Sequence, residues 1–384
     1  MNAPPSRTSQ SLMNGEARSW VTPRARLSAP LRMLYVGNLE RGQTSLQRLQ
    51  AFEHLGCEVA GVHTELHTQL ANLPSLRRFS ERIRRRLVGP RDLTGTNRQI
   101  LEWIARARFD VLWIDKGLII TAETLRAVKS RQPACRILGF SPDDMYQRHN
   151  QSPQFREHLP LYDLFFTTKT YGVAELRSIG CPRVAFHHNG YDPETHRPLA
   201  LSDEERARFG GPVGFVGTWE PARAASIAQL VAGGVPVRVW GARWANECQP
   251  HSNLRIEPQE LLALDYTRAL NSFDISLCFL RKLNRDRQTT RSVEIPACGA
   301  FMLAERTDEH LALFTEGVEA EFFASNEEML EKARYYLEHP EARRRIAAAG
   351  LERCRVGRYS YHERLLDMLT TAGVAEGGAM LECG

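Results

Sequence analysis

The feature that most restricts the fold is a repeated alternation. Short, unbroken apolar runs are separated by stretches with helical periodicity, in two successive series. In the first, Leu31–Val36 (LRMLYV) leads through a glycine-containing loop into a helical pattern opened by Thr44 and Ser45 and carried by Leu46, Leu49, Phe52 and Leu55. Gly56 stops that helix, and a second run follows at Glu58–Val62. Asp110–Asp115, Arg136–Phe140, Asp163–Thr168 and Arg183–Phe186 continue the series, with helical stretches at Ala122–Ser130 and Gly172–Ser178. Runs without polar alternation suit strands covered on both faces, and the intervening helices supply the covers. The alternation predicts an α/β chain with a doubly wound parallel sheet.

The rhythm breaks over residues 189–212, where Asn189-Gly190, Pro193, Pro198 and Gly210-Gly211-Pro212 enclose a brief helix with a Ser202/Glu205 capping box. A second series follows. Strands are expected at Val213–Val216, Val235–Trp240, Leu254–Ile256, Asp274–Phe279 and Phe301–Ala304. Helices are expected from Ala222, at Pro258–Asn271 and Gln288–Ala297, from a Ser325/Glu328 capping box, and at Pro340–Cys354 and Arg358–Thr370. A length of 384 residues accommodates two such units. The expected division is a disordered tail over 1–28, a Rossmann-like domain over 29–200, a second over 201–356, a helix over 357–371 packing back toward the first domain, and a flexible tail over 372–384.

Two parallel sheets in tandem face one another across a cleft bordered by the carboxyl ends of their strands. Residues from distant parts of the sequence therefore become candidates together. From the first half these are Gly37, Asn38 and Gly42, either a ligand loop or a tight turn. Asp143 and Asp144 would orient an acceptor hydroxyl or take its proton, or else form an Asx-turn. His187 would contact a ligand or sit satisfied at the hinge. From the second half, Gly217, Thr218, Arg223 and Gly241 lie at strand ends or just beyond.

Thr289–Arg306 (TTRSVEIPACGAFMLAER) is the most chemical of these stretches. Arg291 suits phosphate. Glu294, one turn on, offers two acceptor oxygens to a pair of vicinal hydroxyls. Together they point to a nucleotide-sugar, against the plainer reading of solvated helix charges.

Composition narrows the class. With 42% hydrophobic and 25% charged residues the chain is an ordinary globular one, and no apolar run approaches the ~20 residues of a membrane span. Eight cysteines form no C-x-x-C pair and twelve histidines no H-E-x-x-H, so reduced thiols and no metal site are expected. The expected location is cytoplasmic, with the inner face of a membrane as a peripheral station. Charge is uneven. Arg77, Arg78, Arg82, Arg84, Arg85, Arg86 and Arg91 face one acid, Glu81, an excess of six in a chain whose net charge is +5. Leu76, Phe79, Ile83 and Leu87 recur at helical spacing among them. The basic helix over 76–91 fits an anionic membrane or phosphorylated acceptor, or a helix with arginines merely in water. A nucleic-acid role has no aromatic-interleaved platform behind it.

The second half resembles the CgeB-type (spore maturation protein CgeB-like) branch of GT-B glycosyltransferases, related to glycosyltransferase family 4. The resemblance rests on FVGTWEPAR (Phe215–Arg223), VRVWGARW (Val237–Trp244), TTRSVEIPACGAFML (Thr289–Leu303) and EGVEAEFFASNEEMLEKARYYLEHPEAR (Glu316–Arg343). SPDDMY, DLFFTTK and HHNGYDPETHRP match more loosely in the first half. It implies a GT-B fold, two Rossmann-like domains facing a cleft, that moves a sugar from a nucleoside-diphosphate donor, UDP- or GDP-linked, to a hydroxyl acceptor. That acceptor would be a polysaccharide, a lipid-linked molecule or a protein. Transfer would retain configuration without a bound metal, and no cofactor would be held permanently. Glu294 would bind ribose, and Arg223 and Arg291 the diphosphate. Gly217, Thr218 and Gly241 would let the backbone approach the donor. Asp286, a sugar contact or else a solvated loop charge, stands where the family carries a sugar-contacting glutamate, and Thr218 where many members carry an arginine. A nucleotide-sugar 2-epimerase and a non-catalytic nucleotide-sugar sensor or scaffold are the alternatives.

Overall fold

The computed structural model describes residues 26–64 and 74–376. Its first sheet contains β1 (Arg32–Gly37), β2 (Glu58–His63), β3 (Val111–Asp115), β4 (Arg136–Ser141), β5 (Leu164–Thr167) and β6 (Val184–Phe186), in the order β2-β1-β3-β4-β5-β6. The second contains β7 (Gly211–Val216), β8 (Val237–Trp240), β9 (Leu254–Glu257), β10 (Phe273–Cys278), β11 (Met302–Glu305) and β12 (Glu321–Phe323), in the order β12-β11-β10-β7-β8-β9. Every pairing is parallel. Strand order reverses between β1 and β3, and again between β7 and β10. The loops at those points splay apart and leave a crevice.

The apolar runs explain the layering. Successive side chains of a strand point to opposite faces, so a run such as Met33–Val36 feeds two cores at once. Leu34 and Val36 join Leu112, Ile114 and Ile137 on one face, covered by Ile100 and Leu125 of the helices Thr96–Arg106 and Ala122–Arg131. Met33 and Tyr35 join Trp113, Leu138 and Phe166 on the other, with Phe52 of the helix Thr44–His54. That second face is completed by Tyr361, Leu365 and Leu369 of the helix Tyr361–Thr371, so the far end of the described chain covers the first sheet. A full capping box, Ser360 with Glu363, starts this helix. Burying each leucine stabilises the arrangement by about 1.5–3 kcal/mol.

The expected tails over 1–28 and 372–384 lie largely outside the described residues. Three local expectations shift. The helix anticipated from Pro258 begins at Ala263, because Leu262 stays extended and Ala263 takes φ of 51°. The one anticipated from Gln288 begins at Arg291, since the Gln288 side chain is bonded to His188, Glu309 and the Asn189 N–H. The Ser325 cap is only half a box: Ser325 Oγ accepts the Glu328 N–H, but the Glu328 carboxylate accepts from Arg306 and the Ala324 N–H.

Candidate active site

A cavity of about 240 Å³ lies over the reversal point of the second sheet. Gly217 and Thr218 after β7, Trp240 and Gly241 at the end of β8, and Leu261–Ala263 after β9 form its floor and one wall. Arg291 and Glu294 reach it from the helix Arg291–Ala297. Gly42, Thr44 and Gln47, just after β1 of the first sheet, close it from above. Gly42 has φ of 86°, and a Cβ there would stand 3.0 Å from the Leu262 Cβ, so the two halves of the molecule touch at the rim.

The floor is tight for a definite reason. Gly217 N–H donates to the Trp240 carbonyl at 2.9 Å, and Trp244 Nε1 donates to the Gly217 carbonyl at 2.7 Å. Gly241 has φ of 140°, and a Cβ on it would fall 2.4 Å from the Gly217 oxygen. Only glycine fits such an approach.

Two arginines flank the ring of Phe215, with guanidinium carbons 5.5 Å (Arg223) and 5.6 Å (Arg291) from its centroid. Arg291 Nε donates to the Val216 carbonyl at 2.9 Å and Arg223 Nη1 to the Thr218 carbonyl at 2.9 Å. Arg223 is buried and its Nε–H has no partner among the described residues. Burial first, and Arg291 next, push its pKa below the ordinary value. Glu220 lies 3.5 Å from Arg223 but also pairs with Arg281 at 3.0 Å, so one carboxylate is shared by two arginines while Arg291 has no acidic partner among the described residues. On this side of the cavity, three arginines therefore stand around one carboxylate.

On the opposite side Glu294 is buried. Tyr266 donates to its Oε2 at 2.9 Å, while His196 Nε2 stands 3.9 Å from Oε1, beyond hydrogen-bonding distance. Burial, then Glu294, raise the Tyr266 phenol well above its usual pKa and keep it a donor. Oε1 is left without a hydrogen bond among the described residues, and both Glu294 and His196 line the cavity.

Of the candidates read from the sequence, Gly42, Gly217, Thr218, Gly241, Arg291 and Glu294 line this one cavity, with Arg223 directly behind Thr218. The others lie elsewhere. Gly37 packs its backbone against Ser45, and Asn38 Oδ1 accepts the Glu40 N–H in a local turn. His187 is largely covered; burial and the nearby Arg364 hold its pKa at about 4, so it is neutral. Burial alone would raise the Asp143 pKa, but Lys116 at 2.5 Å outweighs it, with help from Arg281 and Lys169. A carboxyl held below its ordinary value accepts hydrogen bonds well and protons poorly.

Asp144 and Asp286 belong to a polar latch between the two halves. Arg285 Nε donates to Asp144 at 2.5 Å and its Nη2 to Glu175 at 2.7 Å. Lys169, after β5, donates to Asp286 at 2.6 Å with side-chain exposures of only 2% and 8%. Thr170 Oγ1 donates to Glu309, which also accepts from Gln288. Tyr171 donates to the Arg285 carbonyl at 2.7 Å. The loop carrying Asp286 is therefore plugged into the first half of the molecule.

Sequence reasoning missed His196, Gln47, Thr44 and Lys169. His196 sits in an irregular proline-rich segment with no periodicity to single it out. Lys169 follows an apolar run as any strand-end lysine would, and nothing local signals burial. Among the described residues no cluster of His, Cys, Asp or Glu is arranged to hold a metal ion, and no helix is long and apolar enough to cross a membrane.

Two six-stranded parallel sheets joined across a cleft define the GT-B fold of glycosyltransferases. Residues 222–370, which include Arg223, Gly241, Arg291 and Glu294, match the family model described as glycosyl transferase-like. The Anabaena protein Alr3699/HepE, solved in complex with UDP-glucose, superposes with a TM-score of 0.55 at 12% identity, over 89% of this chain and 100% of that one. Sucrose-phosphate synthase from Thermosynechococcus elongatus gives 0.58 at 11% identity, over 89% and 98%. A putative UDP-N-acetylglucosamine 2-epimerase from Listeria monocytogenes gives 0.52 at 11%, over 92% and 100%. No curated protein matches the chain in sequence.

Proposed function

We propose that the protein transfers a sugar from a nucleoside-diphosphate-sugar to a hydroxyl acceptor. The observation that carries this reading is the arginine pair at Phe215 beside the cavity, Arg223 buried and Arg291 partly so, with no hydrogen-bond partner for Arg223 Nε among the described residues. Such a pair is unfavourable without an anion and suits a diphosphate. Glu294 Oε1, across the cavity, would accept from ribose hydroxyls. The UDP and UDP-glucose complexes of the Anabaena neighbour support a UDP-sugar as the first donor to try.

In the reaction the acceptor oxygen attacks the anomeric carbon while the bond from that carbon to the diphosphate oxygen breaks. The electron pair leaves with the diphosphate, where Arg223 and Arg291 would stabilise it. The acceptor proton passes to a phosphate oxygen, consistent with retention by front-face attack. Asp143 would hold the acceptor hydroxyl by accepting a hydrogen bond; its low pKa argues against its taking the proton. Charge neutralisation by arginine needs no metal in this scheme, and the CgeB-type, family 4 resemblance supports it.

The test is a thermal-shift screen with UDP, GDP, dTDP, ADP and CMP, followed by turnover of the corresponding sugars with and without acceptors. Ligand at ~100 times its Kd should stabilise by about 2.7 kcal/mol. Glu294→Gln should weaken nucleotide binding about tenfold or more by losing a charge-assisted bond. Unchanged affinity in that variant refutes the ribose role. Epimerised free donor without acceptor would replace transfer by epimerisation, and tight binding with no turnover would leave a sensor.

A further inference from the structure

We infer that the helix Ser75–Val88 docks on the surface of an anionic bilayer. Three of its apolar residues are turned to solvent: Leu76 is 85% exposed, Phe79 64% and Ile83 46%. At ~100° per residue they fall within about 60° of one another and form one stripe. Arg77 is exposed beside it, and Arg78 and Arg84 are half buried. The loop beyond repeats the combination, with Arg91 exposed and Leu93 53% exposed. The segment carries seven arginines and one acid between 77 and 91.

The combination selects the partner. A nucleic-acid backbone would use the arginines alone and gain nothing from outward Leu, Phe and Ile. A second copy of the helix would bring a like charge excess of six against the first. An anionic bilayer meets both features: apolar side chains enter the acyl boundary while guanidinium groups stay among the headgroups.

Placement adds a consequence. The segment follows β2 and so leaves the first sheet at its carboxyl edge, the edge that also carries Gly42 and the cavity rim. Its far end is tied to the first half of the molecule by Gln154 Nε2, which donates to the Pro90 carbonyl at 3.3 Å. Docking would bring the cleft side of that half to the headgroups. The inference does not depend on the proposed sugar transfer, since none of these residues lines the cavity.

The experiment is co-sedimentation of the full chain with vesicles of phosphatidylcholine alone and of phosphatidylcholine with phosphatidylglycerol as about a third of the lipid. Binding to the anionic vesicles should be about tenfold stronger or more and should fall as salt rises. Leu76→Ser/Phe79→Ser/Ile83→Ser and, separately, Arg77→Gln/Arg91→Gln should each lose about tenfold or more. Both variants should keep the wild-type unfolding temperature and nucleotide response, because they change surface residues away from the cavity. Equal binding to both vesicle types would overturn the inference. So would an apolar variant that binds as the wild type does, or tight binding to duplex DNA without binding to vesicles.

Discussion

Replacing Lys169 by methionine removes the cation from the most buried ion pair between the two halves of the molecule. Lys169 and Asp286 have side-chain exposures of 2% and 8%, so neither charge falls back on water when its partner is lost. Breaking a buried pair by removing one member costs about 3–5 kcal/mol. Asp286 keeps a hydrogen bond from Asn284 Nδ2 at 2.7 Å and is able to take up a proton, which sets the cost near the lower end, about 3 kcal/mol. Unfolding of a unit of ~150–250 residues should shift down by about 6–12 °C. The cost should also depend on pH. Burial already holds the Asp286 carboxyl above its ordinary pKa despite Lys169, and losing Lys169 raises it further. A carboxyl whose folded pKa is raised favours the fold below its unfolded pKa and loses that contribution as pH rises through the folded value. The deficit of Lys169→Met against wild type should therefore be smaller at pH 5 than at pH 8. Adding Asp286→Leu should recover most of it by removing the orphaned charge. Thermal unfolding of the three proteins at both pH values decides the matter. A deficit below about 1 kcal/mol, no pH dependence, or a double variant no better than the single would refute a latch built on this pair.

Three further outcomes are expected. Arg223→Met should unfold at a temperature equal to or above the wild type without ligand, because it removes a desolvated charge beside Arg291, yet lose most of the stabilisation by nucleoside diphosphates; calorimetry with and without UDP checks both halves. Gly241→Ala forces a Cβ to 2.4 Å from the Gly217 carbonyl at φ of 140°, and should cost about 2 kcal/mol or more and abolish nucleotide binding, measured by denaturation and thermal shift. His158 and His187 are held neutral by burial with pKa values of about 4, so the unfolded chain binds their protons first; stability should fall as pH drops from about 6.5 toward 4, and His158→Gln should flatten that slope in a pH series of melting curves.

The fold was legible because buried parallel strands advertise themselves. LRMLYV and DVLWID are apolar throughout, and β1 and β3 are buried on both faces as such runs require. The cavity was legible for a related reason: glycines at strand ends and an Arg–Glu pair one turn apart are local patterns, and Gly217, Gly241, Arg291 and Glu294 do converge. The contacts between the two halves were not. Asp144 was read as a group facing the cleft and Asp286 as a sugar contact or a solvated loop charge, and Arg285 and Lys169 bind them across distances of 141 and 117 residues in sequence. An ion pair of that kind leaves no periodic trace; each partner alone reads as a solvated charge. The basic helix shows the converse. Its amphipathic spacing was plain, but spacing gives only the angle between apolar residues and not whether that face meets protein or water. Leu76 at 85% exposure answers this, because a stripe that served the core would be covered by it. Sequence therefore locates chemistry held within one turn or one strand end, while contacts between the two halves, which decide whether a carboxylate is a reagent or a fastener, come only from the fold.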